Sequence, residues 1–424
     1  MKKFFFILLT ILAVMLSNSY AQTLKSETNP ESKTAEQILG NPEYQAICFG
    51  GFRGKSLDIE PTIPELKEDL RILSAMEIKL LRTYKVFLDE ASNLLQAIRQ
   101  LKEEDKGFEM YVMLGAWIDC KDARTENPMH NKESERNAAE IDRAVVLAKE
   151  YPDIVKIIAV GNEAMVKWAT SYYVEPGIIL KWVNHLQKLK KEGGLPEKLW
   201  ITSSDNFASW GGGNSQYHVE DLNNLIKAVD FISMHTYPMH DTHYNPGFWG
   251  VRDDEATLSD KEKIDAAMLR AKNYAIAQYE SVVKYMKSVG VNKPVHIGET
   301  GWASMSDGFY GSEGSRACDE YKEAVYYRQM REWSKVNGVS CFYFEAFDEQ
   351  WKDAANPVGS ENHFGLINLK SQAKFALWDL VDIGTFTGLS RDGKPITKTY
   401  NGDLKALMHE VKVPPTEKEI KAKK

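Results

Sequence analysis

Short apolar runs alternate with amphipathic stretches along most of this chain, and no other feature narrows its possible folds as much. The runs are QAICFGGF (45–52), KLLRTY (79–84), FEMYVMLGAW (108–117), IVKIIAVGNE (154–163), LWITSS (199–204), VDFISMHTYP (229–238), PVHIGETGW (294–302) and VSCFYFEAF (339–347). Between them apolar residues recur at helical spacing: Leu66, Leu70 and Leu73; Leu94, Ile98 and Leu101; Ile141, Val145 and Ala148; Ile179, Val183 and Leu186. Pro64 suits a first helical turn and Gly193-Gly194 a last one. Strand and helix repeated eight times imply a parallel sheet closed into a (β/α)8 TIM barrel, an α/β fold. An open doubly wound sheet competes, but FGGFRG after the first run lacks the Gly-x-Gly-x-x-Gly spacing such sheets carry.

The barrel is expected over 44–395 as a single catalytic domain. Gly211-Gly212-Gly213 and the stretch from His240 to about Glu262 follow strands five and six, where insertions build a barrel's active-site rim. A polar segment (22–43) precedes the barrel. A surface helix and a frayed tail (396–424) are expected after it, past Pro414-Pro415. At the start, Lys2 and Lys3 lead into an apolar stretch from Phe4 to Leu16 broken only by Thr10, then Ser19-Tyr20-Ala21. Residues 1–21 therefore read as a secretory signal peptide, the apolar core being too short to span a bilayer. The expected destination is extracellular or periplasmic, with no membrane span.

A net charge of −7 argues against a nucleic-acid partner, which calls for a basic face, and favours a neutral substrate. The four cysteines, Cys48, Cys120, Cys318 and Cys341, are too few for a disulfide framework. Export permits one or two bridges, while the apolar surroundings of Cys48 and Cys341 fit buried thiols.

Polar residues at the strand ends should converge on one face. Strand four ends in Asn162-Glu163 and strand seven in Glu299, three positions apart around the ring, so the two carboxylates should face one another across the mouth. Such a pair suits glycoside hydrolysis, although any single glutamate here could instead cap a helix or form an ion pair. Trp117, Trp210, Phe248, Trp249, Trp302 and Trp351 fall at or just after strand ends, where flat faces can stack on sugar rings or pack the core. His235, His240 and His243 lack a second ligand cluster, so no metal is expected. Lys188, Lys190 and Lys191 read as a solvated helix end suited to the dipole.

VGNEAM and IGETGWAS resemble the two signature segments of glycoside hydrolase family 17, the β-1,3-glucanases and related glucanosyltransferases. ICFGG, LRTY, HTYP, FEAFDEQWK and ENHFGL match in order, so the resemblance covers about 44–380. It implies that Glu163 is the general acid/base and Glu299 the nucleophile, with retention of anomeric configuration. It further implies that Glu349, Lys352 and Glu361 lie beside the scissile sugar, that Asn162 binds its 2-hydroxyl, and that Tyr237 hydrogen-bonds the nucleophile. Arg82 could hold Glu299 ionised. In a retaining pair the carboxyls sit about 5–5.5 Å apart and the acid holds its proton near neutral pH. Two departures stand out: Ala303 replaces the proline of the second signature, and Phe49 stands where plant members have tyrosine. Strand eight resembles fungal and bacterial members, some of them transglycosylases. The expected protein is a secreted, monomeric, endo-acting β-1,3-glucan hydrolase that needs no cofactor. A β-1,3-glucanosyltransferase with the same site and a catalytically silent glucan-binding protein are the alternatives.

Overall fold

The computed structural model describes residues 33–311 and 314–422, so the signal-peptide reading of 1–21 lies outside the described residues. From Ala35 onwards the chain forms one compact unit. Its eight strands are β1 (Gln45–Cys48), β2 (Ile78–Arg82), β3 (Tyr111–Ala116), β4 (Val155–Asn162), β5 (Trp200–Asn206), β6 (Ile232–His235), β7 (Val295–Gly301) and β8 (Cys341–Phe344). They close into a barrel in the order β1-β8-β7-β6-β5-β4-β3-β2, every neighbouring pair parallel. All eight apolar runs supply a strand, and the fold is the expected (β/α)8 barrel.

Seven long helices follow the first seven strands: α1 (Ile63–Ala75), α2 (Asp89–Glu104), α3 (Arg136–Glu150), α4 (Pro176–Lys191), α5 (Glu220–Ala228), α6 (Asp260–Ser288) and α7 (Glu320–Asn337). Capping boxes start two of them, Thr62 with Glu65 on α1 and Ser259 with Glu262 on α6, so orphan N–H groups at each end are satisfied locally. Helix faces then cover the sheet: Leu66, Leu70 and Leu73 of α1, with Leu94, Ile98 and Leu101 of α2, are buried. Shielded on both faces, β3 is apolar from Tyr111 to Ala116. The eighth unit departs from the repeat, since β8 leads into a long loop and then into short helices, the first α-helix being α8 (Trp378–Asp382).

Two terminal expectations need adjustment. The stretch read as polar contains a short helix, Ala35–Ile38, whose Ala35 and Ile38 are fully buried. The tail expected to fray is docked as far as it is described. Pro414 and Pro415 are buried, Val251 donates to the Pro415 carbonyl at 2.9 Å, and Arg316 pairs with Glu419 at 3.0 Å. These partners lie far away in sequence, so the local pattern of lysines and glutamates carries no sign of them. All four cysteines are free thiols, three of them buried.

Candidate active site

The site begins with a turn. As β4 surfaces, Gly161 (φ 80°) and Glu163 (φ 44°) both enter the left-handed region. Glycine takes that conformation without penalty; glutamate pays of order 1–3 kcal/mol, strain that persists where the surroundings fix it. The Glu163 N–H is anchored to the Ser204 carbonyl of β5 at 3.0 Å, which turns the carboxyl into the mouth. There its Oε1 meets His235 Nδ1 at 3.1 Å, while His235 Nε2 lies 2.7 Å from Ser204 Oγ and Ser204 Oγ 2.8 Å from Ser233 Oγ. This chain runs against bare backbone: a Cβ on Gly298 would stand 2.0 Å from Ser233 Oγ. The glycine preceding the second carboxylate therefore makes room for the network that holds the first.

Glu299, on β7, is only 7% exposed. Arg82, at the end of β2, donates Nη1 to Glu299 Oε2 and Nη2 to Asn162 Oδ1. Tyr237 donates to Glu299 Oε1 at 2.6 Å and Tyr84 to Oε2 at 3.2 Å. Burial alone would push this carboxyl up, but His235, Arg82 and the Tyr237 hydroxyl together hold it down at about 2. With Oδ1 of Asn162 engaged by arginine, its Nδ2 is the group that can donate into the cleft.

Both glutamates line one cleft of about 1050 Å³ at the C-terminal end of the barrel. Asn162, Glu349, Lys352, Glu361, Trp117 and Trp351 line it too, whereas Arg82 and Tyr237 act from behind Glu299. Lys352 sits between Glu345 and Glu349, 3.0 Å from the latter. Burial lowers its affinity for a proton, and the two carboxylates more than reverse that. Glu345 is pushed well above the usual carboxylate range by burial, with Lys352 opposing and Glu349 adding. Glu349 also accepts the Phe52 N–H at 2.9 Å and the Trp351 indole N–H at 3.1 Å, which fixes the wall it shares with them.

Three of the expected stacking residues are corrected. Trp210, Trp249 and Trp302 are fully buried, outside the cleft, with indole N–H groups donating to the carbonyls of Ser233 (3.0 Å), Ser315 (2.7 Å) and Ala317 (2.9 Å). A buried indole needs such an acceptor; strand β6 provides it for Trp210, and the loop between β7 and α7 for Trp249 and Trp302. Phe248 stacks on Tyr274 at 4.3 Å. The three histidines separate: His235 holds Glu163, His240 stacks on Tyr237 at 5.1 Å, and His243 lies against Phe309 at 4.4 Å.

Several residues were not singled out from sequence. Tyr84 lies two residues beyond Arg82 in the LRTY run, and strand alternation could have placed both on one face. Tyr172, tilted against Trp117 at 6.1 Å, gives the cleft a second aromatic wall. Asp205 is buried below Glu163 and raised to about 7 by burial, against the Met165 N–H it accepts and with Glu163 adding. Nothing near it in sequence marks Asp205.

A barrel whose mouth holds one clamped and one histidine-bound carboxylate in a sugar-sized cleft is built as a glycoside hydrolase. Comparison agrees: the BtgE/BtgC glycoside hydrolase domain model matches residues 47–365, and the chain belongs to that family. The resemblance to family 17 is thereby borne out. An endo-laminarinase from Formosa Hel1_33_131 is 65% identical and superposes with a TM-score of 0.90, over 91% of this chain and 98% of that one. A family 17 β-1,3-glucanosyltransferase from Rhizomucor miehei shares the fold at 19% identity, with a TM-score of 0.53 over 79% of this chain and 96% of its own. Among curated relatives, a probable glucan endo-1,3-beta-glucosidase, btgC, of Aspergillus flavus is 22% identical over 82% of this chain and 46% of its own length. The chain thus spans less than half the length of the first curated relatives it matches.

Proposed function

We propose that this chain is an exported, retaining endo-β-1,3-glucanase that cleaves laminarin-type glucan by double displacement. The observation that carries the reading is the unequal treatment of two carboxylates in one cleft. Glu299, held near 2 by His235, Arg82 and Tyr237 against its own burial, is ionised at any working pH and suits attack on the anomeric carbon. Glu163, oriented by His235 and without the arginine that binds Glu299, is the group to protonate the leaving oxygen and then to activate water. Asn162 donates to the 2-hydroxyl, while Trp117, Tyr172 and Trp351 offer flat faces to neighbouring rings. Glu349, Lys352 and Glu361 hold the sugar's polar edge. Among the described residues no helix is long and apolar enough to cross a membrane.

Early hydrolysis of laminarin followed by proton NMR tests both bond and stereochemistry. The reading expects β-anomer reducing ends to appear first and a ladder of oligosaccharide lengths; α-anomer first would refute retention. Products longer than the substrate would assign the glycosyl-enzyme to a sugar acceptor instead of water. A protein that binds laminarin but releases nothing would be a glucan-binding module.

A further inference from the structure

Tyr237, which touches Glu299, is also the first ring of an aromatic series leading out of the catalytic centre. His240 stacks on it at 5.1 Å, and Tyr310 lies 5.1 Å beyond His240. Tyr244 then meets Tyr310 at 6.4 Å and His243 at 4.8 Å, and His243 meets Phe309 at 4.4 Å. The series ends on open surface, with Tyr244 63% and Phe309 58% exposed. The loop after β8 joins the same patch: the Asp307 N–H donates to Val358 at 3.1 Å, and Val358 is itself 46% exposed.

A cluster of large aromatic rings left in water at the mouth of a barrel marks a binding surface. What covers this one is indicated by continuity. Glu361 lines the cleft, and its Oε1 lies 3.9 Å from His240 Nε2, so the patch starts where the cleft ends. Flat rings match the C–H faces of pyranoses, and the neighbouring histidines and tyrosine hydroxyls can meet sugar hydroxyls.

We propose that Tyr244, Phe309 and the rings joining them to Tyr237 form a distal glucan-binding platform, engaged by sugar units of a long β-glucan beyond those held in the catalytic cleft. The proposal rests on the glucanase reading and adds where a long chain is gripped. The platform makes the enzyme prefer polymer over short oligosaccharide without touching the reacting atoms.

The test compares kcat/KM for long laminarin with kcat/KM for laminaritetraose, in wild type and in a Tyr244→Ala/Phe309→Ala double variant. The ratio of the two should fall about tenfold, equivalent to one or two lost ring contacts. Phe309→Trp, which keeps a flat ring, should hold the wild-type ratio. A general folding defect lowers both rates and leaves the ratio alone, so a ratio within about twofold of wild type overturns the platform. Dimers in sedimentation that dissociate in the double variant, with the ratio unmoved, would assign the patch to a second copy of the chain and also overturn it. Wild type that releases no sugar from laminarin would refute the glucanase reading, and the platform with it; active wild type with an unmoved ratio refutes the platform alone.

Discussion

Replacing Arg82 by methionine should move the acid side of the pH–activity profile. The guanidinium is 1% exposed and binds Glu299 and Asn162 through different nitrogens. Methionine keeps much of the bulk and removes the charge. Breaking a buried ion pair by removing one partner costs about 3–5 kcal/mol, because the remaining charge is stranded. At about 1.4 kcal/mol per unit, that is roughly 2–4 units of proton affinity, lifting Glu299 from about 2 into the range of about 4–6. The nucleophile must be ionised to react, so protonation from the acid side switches the enzyme off. The acid limb of kcat/KM should accordingly rise into pH 4–6 in Arg82→Met, with a further loss of about tenfold near neutrality as Asn162 loses its orienting partner. Reducing-end release from laminarin, followed from pH 3 to pH 8 on protein shown by circular dichroism to be folded, provides the measurement. An acid limb that coincides with that of wild type would mean that Arg82 does not hold Glu299 ionised, and the reasoning would fail.

Removing the two carboxylates should give opposite rescue chemistry: with azide, Glu163→Ala should yield a β-glycosyl azide from an activated substrate and Glu299→Ala an α-glycosyl azide, and matching anomers would overturn the division of roles. His296 is buried and pushed down to about 4 by that burial, and it accepts the Ser340 N–H at 3.1 Å. Between about pH 6.5 and 4 the unfolded chain takes up a proton there that the folded chain refuses, so about 3 kcal/mol of stability drains away as pH falls through that window. His296→Gln should flatten that part of the stability curve, measured by urea midpoints at several pH values; an unchanged slope would exclude the residue. Trp249→Ala should cost about 3–5 kcal/mol in denaturant unfolding, while Trp351→Ala should leave stability within about 1 kcal/mol and raise KM for laminarin several-fold. Comparable stability losses in both would contradict the placement of one ring in the core and the other in the cleft.

What could be read from sequence was whatever depends on neighbours along the chain. The run 154–163 is apolar from Ile157 to Val160, where it is buried, and its Val155–Asn162 stretch became β4. Glu163 and Glu299 were legible because a carboxylate at the end of such a run has few places to point but the mouth. The tryptophans were misread because a position beside a strand end does not give the side chain's direction. Trp249 turned inward to donate to Ser315, a partner 66 residues away. Distance along the chain also hid the His235–Glu163 contact, Asp205 and the docking of Thr416 beside Val251. The two facing carboxylates were marked by local pattern, and their surroundings by contacts that only the folded chain brings together.

The anchoring of the last segment has a practical side. Glu417 donates its N–H to the carbonyl of Val251, in the loop between β6 and α6, so the chain leaves the barrel beside the rim that surrounds the cleft and not at its base. Cargo spliced on beyond the terminal helix, Glu417–Ala422, such as a carbohydrate-binding module or a surface tether, would emerge beside the mouth of the cleft. Immobilising the enzyme by that terminus would press its working face toward the support.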